Sequence, residues 1–189
     1  MPKPNVVFVL GRPGAGKGTL CARIMENFGY VHLSAGDLLR AERKIPGSQH
    51  REIIEHHIIN GTVGTIGAIT CSLLERAMKE SGKNYFLIDG FPRNEDNLTC
   101  WNKAMGDKVN LKFVLFLDCS KETCLNRCLK RGKEGSGRTD DNEESLKKRF
   151  ARDLTMSIIK HFDEKNLVKH INTDRDFEEI WNEIQELFL

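Results

Sequence analysis

Residues 11–19 read Gly-Arg-Pro-Gly-Ala-Gly-Lys-Gly-Thr and follow the apolar run Val6–Leu10. Such a loop, set between a strand and a helix, can turn successive backbone N–H groups inward around an anion. The N-terminus of the helix adds partial positive charge. Lys17 is spaced to reach the β- and γ-phosphates of a nucleoside triphosphate. The strict phosphate-loop pattern places Ser or Thr directly after the lysine, whereas here Gly18 intervenes and the hydroxyl comes at Thr19. Gly14, Ala15, Gly16, Lys17, Gly18 and Thr19 are therefore the candidate triphosphate-binding residues. The alternative is a chance glycine-rich turn.

Other reactive side chains offer less. Six cysteines occur and none forms a C-x-x-C pair. Cys124 and Cys128 stand one helical turn apart, which fits a buried helix face better than a zinc site lacking partner ligands. His32, His50, His161 and His170 show no metal spacing. His56 and His57 are neighbours on a polar helix and read as surface residues, because adjacent helical positions do not share a face.

The chain has 189 residues, 39% hydrophobic and 30% charged, with a net charge of +2. That composition suits one soluble domain with its own core. The small net charge argues against long nucleic acid as a partner, since that footprint needs a dense basic surface. The five-residue apolar run is too short for a signal-peptide core. No stretch approaches the ~20 apolar residues of a membrane helix. Cytoplasm or nucleus is the expected location.

These candidates need elements to hold them. Val6–Leu10, Tyr30–Leu33, Phe86–Asp89, Phe113–Asp118 and Val168–Asn172 read as five strands, separated by helical patterns such as Gly18–Phe28. Continuous apolar runs alternating with helices predict a doubly wound parallel α/β sheet covered on both faces. Phe177, Ile180, Trp181, Ile184, Leu187 and Phe188 recur at helical spacing and predict a final helix. Residues 34–71 are helical and polar and read as an insert. Residues 132–142, rich in glycine and charge, read as a short mobile loop.

The Gly-Lys-Gly-Thr variant resembles the adenylate-kinase-like nucleoside-monophosphate kinases, and the likeness runs nearly end to end. Leu33-Ser34-Ala35-Gly36-Asp37-Leu38-Leu39-Arg40 is similar to that family's acceptor-binding helix. Asp89-Gly90-Phe91-Pro92-Arg93 is similar to its third-strand signature. Arg131-Gly132, followed by Gly137-Arg138-Thr139-Asp140-Asp141-Asn142, resembles its lid, and Arg149 matches the arginine beyond. The pyrimidine-specific UMP–CMP branch is the nearest match. The resemblance implies a P-loop fold with an acceptor-binding insert and a lid. It implies γ-phosphoryl transfer from ATP, with Mg²⁺, to CMP or UMP and to dCMP, by a monomer whose partners are nucleotides.

It also implies roles. Arg40 and Arg93 would hold the acceptor phosphate. Lys17, Arg131, Arg138 and Arg149 would surround the transferring group, and Arg127 would lie against the donor adenine. Asp89 would orient water on Mg²⁺, and Asp140 and Asp141 would anchor lid arginines. Ser34, Ala35, Gly90 and Asn97 complete the acceptor side, with Asn97 and Ala35 as the pyrimidine cues. The chemistry agrees, because phosphoryl transfer needs two substrates in line and charge spread over fixed cations, which arginine supplies bidentately. Taken singly, each arginine could be a solvated helix face, Asp89 a strand-end cap, and Asp140–Asp141 a cap for the next helix.

Five positions depart from the family pattern: Arg12, Leu20, a lid longer by one residue across Lys133–Ser136, Ser157, and the segment 61–68. That last segment carries Gly61, Gly64 and Gly67 and no proline, so ordering it around a base costs chain entropy. It is the expected determinant of acceptor selectivity. An adenylate kinase on the same scaffold and a catalytically weak nucleotide-binding paralogue are the competing readings. A GTPase is not supported, since no N-K-x-D motif is present.

Overall fold

A computed structural model describes residues 2–60, 66–151 and 153–189. In chain order the elements are β1 (Asn5–Leu10), α1 (Lys17–Phe28), β2 (Val31–Ser34), α2 (Ala35–Lys44), α3 (Arg51–Asn60), α4 (Gly67–Ser81) and β3 (Tyr85–Asp89). They continue with α5 (Glu95–Met105), β4 (Asn110–Asp118), α6 (Lys121–Lys133), α7 (Glu143–Ala151), α8 (Thr155–Asp163), β5 (Val168–Asn172) and α9 (Phe177–Gln185). The strands form one parallel sheet in the order β2-β3-β1-β4-β5. This is the doubly wound arrangement expected from the apolar runs.

The central strand shows why the sheet must be covered twice. Val6, Phe8 and Leu10 of β1 enter one core cluster, while Val7 and Val9 enter the other. All five are buried, so the strand carries no polar alternation. Phe8 alone meets Phe91, Trp101 and Phe162. Fully burying such a side chain contributes about 1.5–3 kcal/mol. The face beneath α1 and α9 holds Ile24, Ile180, Trp181 and Ile184. Leu187 and Phe188 pack there too, beyond the last turn of α9.

The strand order reverses at β1. Its neighbours β3 and β4 connect to opposite sides, so a crevice opens at the C-terminal ends of these strands. Ser34 pairs with Asp89 in register, and Val9 pairs with Asp89 from the other side. The motif residues thus leave the sheet at one edge.

Several element bounds differ from expectation, two of them by more than one residue. β4 starts at Asn110 rather than Phe113, with Lys112 skipped in its pairing to β1, because the exposed start of the strand breaks the apolar run. Helix α6 includes Gly132 and Lys133, so the loop expected at 132–142 begins only at Glu134. That loop is tied down by Ser136 and Arg131, both bonded to Asp141. Cys124 and Cys128 are fully buried on α6, as a buried helix face requires. Of the segment 61–68, residues 61–65 lie outside the described residues. No helix among the described residues is long and apolar enough to cross a membrane.

Candidate active site

The loop after β1 wraps the start of α1. Gly14 adopts φ +86°, and a Cβ there would lie 2.3 Å from the Cys124 carbonyl oxygen, so only glycine fits between loop and α6. Lys17 folds its ammonium back onto the carbonyls of Gly11 and Arg12, each at 3.0 Å. Burial pulls its pKa down to about 8, partly countered by Asp89, with Arg93 and Arg149 adding to the fall.

The cavity beside it measures about 550 Å³. It gathers Gly14, Gly16, Lys17, Gly18 and Thr19 from the loop and α1, and Ser34, Ala35 and Arg40 from the start of α2. From β3 and α5 it takes Asp89, Gly90, Arg93 and Asn97; from α6, the lid and α7 it takes Arg127, Arg131, Arg138 and Arg149. Ala15 alone of the candidates faces away, fully buried in the core. Seven Lys and Arg against four Asp line the space, among the described residues, so its field favours anions.

Each arginine is held in place. Arg93 donates through Nε to the Gly90 carbonyl at 2.7 Å, and its backbone N–H donates to Asn97 Oδ1 at 3.1 Å. Burial and then Arg149 bring its pKa down to about 10. Arg149 donates to Asp140 at 2.8 Å, and burial lowers its pKa also. Arg131 is clamped by both oxygens of Asp141, at 2.6 and 2.7 Å. Those bonds raise its pKa and, against the opposing effect of burial, hold the Asp141 carboxyl below its usual range. The two acids therefore anchor arginines. The cap of α7 is Asn142 instead, whose Oδ1 accepts from the Ser145 N–H at 3.0 Å. Arg127 reaches the carbonyls of Gly14, at 3.4 Å, and Thr173, at 3.0 Å, bridging the loop to the end of β5.

Three residues in the site had no assigned role. Asp37 pairs with Arg40 at 2.6 Å and with Arg138 of the lid at 3.5 Å. Its spacing from Arg40, i to i+3, was a readable signal. His32 bonds Asp89 Oδ2 through Nε2 at 3.0 Å, a contact made across two strands and invisible to spacing. Asp153, after α7, lines the cavity and stands 3.8 Å from Arg12.

The departures fall in different places. Leu20 points into the core, 2% exposed, and not into the cavity. Arg12 donates to the Cys119 carbonyl at 2.8 Å. Gly67 does not loosen a loop: it opens α4, and a Cβ there would sit 2.6 Å from Asp96 Oδ2 and 3.2 Å from Asn97 Nδ2. His56 is exposed on α3.

The family described as an AAA domain matches residues 10–147. UMP-CMP kinase 2 of Caenorhabditis elegans is 54% identical, over 97% of this chain and 96% of that protein. The UMP-CMP kinases of Gallus gallus and Homo sapiens are 54% and 53% identical, each over 98% of this chain and 97% of the relative. The chain belongs to the UMP–CMP kinase family. It is a nucleoside-monophosphate kinase.

Proposed function

We propose that the protein transfers the γ-phosphoryl group of ATP to CMP, UMP or dCMP, giving ADP and the corresponding diphosphate. One observation carries this reading: the donor-loop Lys17 and the arginines Arg93 and Arg149 line one cavity, where both arginines depress the pKa of Lys17. In this reading Lys17, Arg131, Arg138 and Arg149 stabilise the transferring group, Arg127 flanks the donor, and Arg93 holds the acceptor phosphate. Ser34, Ala35, Arg40, Gly90 and Asn97 hold the acceptor. Excess cations that repel each other without substrate become favourable once two phosphate chains lie between them.

Mg²⁺ takes oxygen ligands and keeps several waters. The carboxylate of Asp89 and the hydroxyl of Thr19 line the cavity and fit that demand. When bound, the ion neutralises charge on the donor phosphates. The chain's own part is to present Asp89, steadied by His32, next to Lys17.

Lys17 supplies a check on donor binding. With a pKa of about 8 the free protein carries it about half charged at pH 8, and phosphate favours the charged form. ATP binding at pH 8 then takes up about half a proton. Calorimetry in two buffers of different ionisation enthalpy measures this uptake, which is absent in Lys17→Met. The same shift acts on folding. The folded pKa lies below the unfolded one of ~10.4, so the ligand-free protein gains stability as pH rises from about 8 to ~10.4.

Acceptor choice is tested by kcat/KM for CMP, UMP, dCMP and AMP in a coupled assay. The pyrimidine nucleotides should exceed AMP by at least about tenfold, about 1.4 kcal/mol. Asn97→Gln, longer by one methylene and packed against Gly67, should narrow that gap. A preference for AMP in the unaltered protein would replace this reading with an adenylate kinase.

A further inference from the structure

Three side chains of different chemistry meet where α1 crosses the ends of β2 and β3. They are Cys21, His32 and Asp89, and a donor atom of each lies within 4.8 Å of the others. Among the described residues no other group of His, Cys, Asp and Glu gathers so closely. Cys21 is fully buried, and the side chains of His32 and Asp89 are 19% and 9% exposed. His32 and Asp89 also line the nucleotide cavity, so the trio has one open side.

We propose that Cys21, His32 and Asp89 form a three-ligand site for a zinc-type divalent cation, with its fourth position open to the nucleotide cavity, and that occupancy inhibits phosphoryl transfer. The donor set decides the ion. Thiolate and imidazole suit zinc, whereas Mg²⁺ takes hard oxygens alone. Zinc bonds of about 2.0–2.3 Å need the three donor atoms drawn in by only about 1 Å from their present spread. Three protein ligands with an open fourth position is the arrangement of an exchangeable zinc site rather than a closed structural one.

The balance is simple and involves no redox step. The Cys21 thiol releases its proton to solvent through the cavity, and its sulfur pair forms the metal bond. The imidazole donates the pair of one nitrogen and keeps N–H on the other. Asp89 exchanges its hydrogen bond from His32 for the metal. Thiolate and carboxylate together neutralise the two positive charges. Burial and Asp89 both hold Cys21 as the thiol when no metal is present, so a proton must leave on binding.

Inhibition follows from Asp89. Asp89 lines the same cavity as Lys17 and Thr19 and, in the proposed reading, is the carboxylate that supports the donor's Mg²⁺. A cation seated on Asp89 removes that support and adds repulsion. This consequence rests on the phosphoryl-transfer reading of Asp89, whereas binding of the ion does not.

Titration of the nucleotide-free full chain with Co²⁺ tests the site. One equivalent should bind with a thiolate-to-cobalt charge-transfer band in the near ultraviolet, and Zn²⁺ should abolish the band. Cys21→Ala and Cys21→Ser should each lose the band, and His32→Gln should weaken Co²⁺ binding at least about tenfold. Far-ultraviolet dichroism confirms that the variants are folded, and the serine form keeps the size of the side chain. A band that persists in both Cys21 variants, or no thiolate band in the unaltered protein, overturns the site. In assays at saturating Mg²⁺ with free Zn²⁺ buffered, the unaltered protein should be inhibited and Cys21→Ala should be at least about tenfold less sensitive. Equal sensitivity, with the band confirmed, would overturn the inhibitory role and leave the phosphoryl-transfer reading intact.

Discussion

Lys17→Met is expected to lower kcat by about 10²–10³-fold, about 3–4 kcal/mol, while the protein stays folded. The ammonium is tethered by two loop carbonyls and lies beside Arg93 and Arg149 in the nucleotide cavity. A cation in that setting acts on charge as it develops, so its loss appears in kcat rather than in KM. The fold should survive, because the buried charge is a cost to the ligand-free protein. Methionine removes that cost and fills most of the same volume. Thermal unfolding at pH 7 should therefore show a midpoint equal to or above that of the unaltered protein. A variant retaining more than about a tenth of kcat would place the reacting phosphate elsewhere.

Arg93→Ala should raise the acceptor KM by about 10–100-fold, the scale of a charge-assisted bond of about 1.5–3 kcal/mol, and leave the KM for ATP within about threefold. The argument is positional. Arg93 follows Gly90-Phe91-Pro92 at the mouth of β3, and two local bonds aim it: Nε to the Gly90 carbonyl, and its N–H to Asn97. Asn97 thus couples the phosphate-binding arginine to the position read as the base selector. The donor side is spared for an electrostatic reason. Arg93 depresses the pKa of Lys17, so its removal leaves Lys17 more readily charged. Steady-state kinetics varying each substrate at saturation of the other measures both constants. An equal loss for ATP and for the acceptor would show that Arg93 spans the transferring phosphate instead of holding the acceptor.

Much of this was legible because the central strands contain continuous apolar runs. Val6–Leu10 and Phe113–Asp118 leave no room for a one-sided sheet, and the Gly-Lys-Gly-Thr turn fixes which end carries the site. What escaped depends on contacts between elements. β2 runs Val31–Ser34, one residue later than expected, because Ser34 still pairs with Asp89 before its side chain caps α2 through the Asp37 N–H. Gly132 reads as loop freedom in sequence, yet it continues α6, with Asp141 packed against its Cα. Asp37 looks like an ordinary helix-surface acid until the lid brings Arg138 to 3.5 Å. Cys21, His32 and Asp89 are separated in sequence and share nothing readable until β2, β3 and α1 bring them together. Leu20 and Gly67, which belong to the departures from the family pattern, are packing residues on α1 and α4.

The central claim is direct transfer between two nucleotides held in one cavity. It is tested by incubating the protein with γ-labelled ATP and CMP and separating the products at early times. The label should pass into CDP in step with ADP formation, with little inorganic phosphate, because closure around both substrates excludes water. Label accumulating as inorganic phosphate, or ATP left unconsumed in the presence of CMP, UMP and dCMP alike, would contradict it.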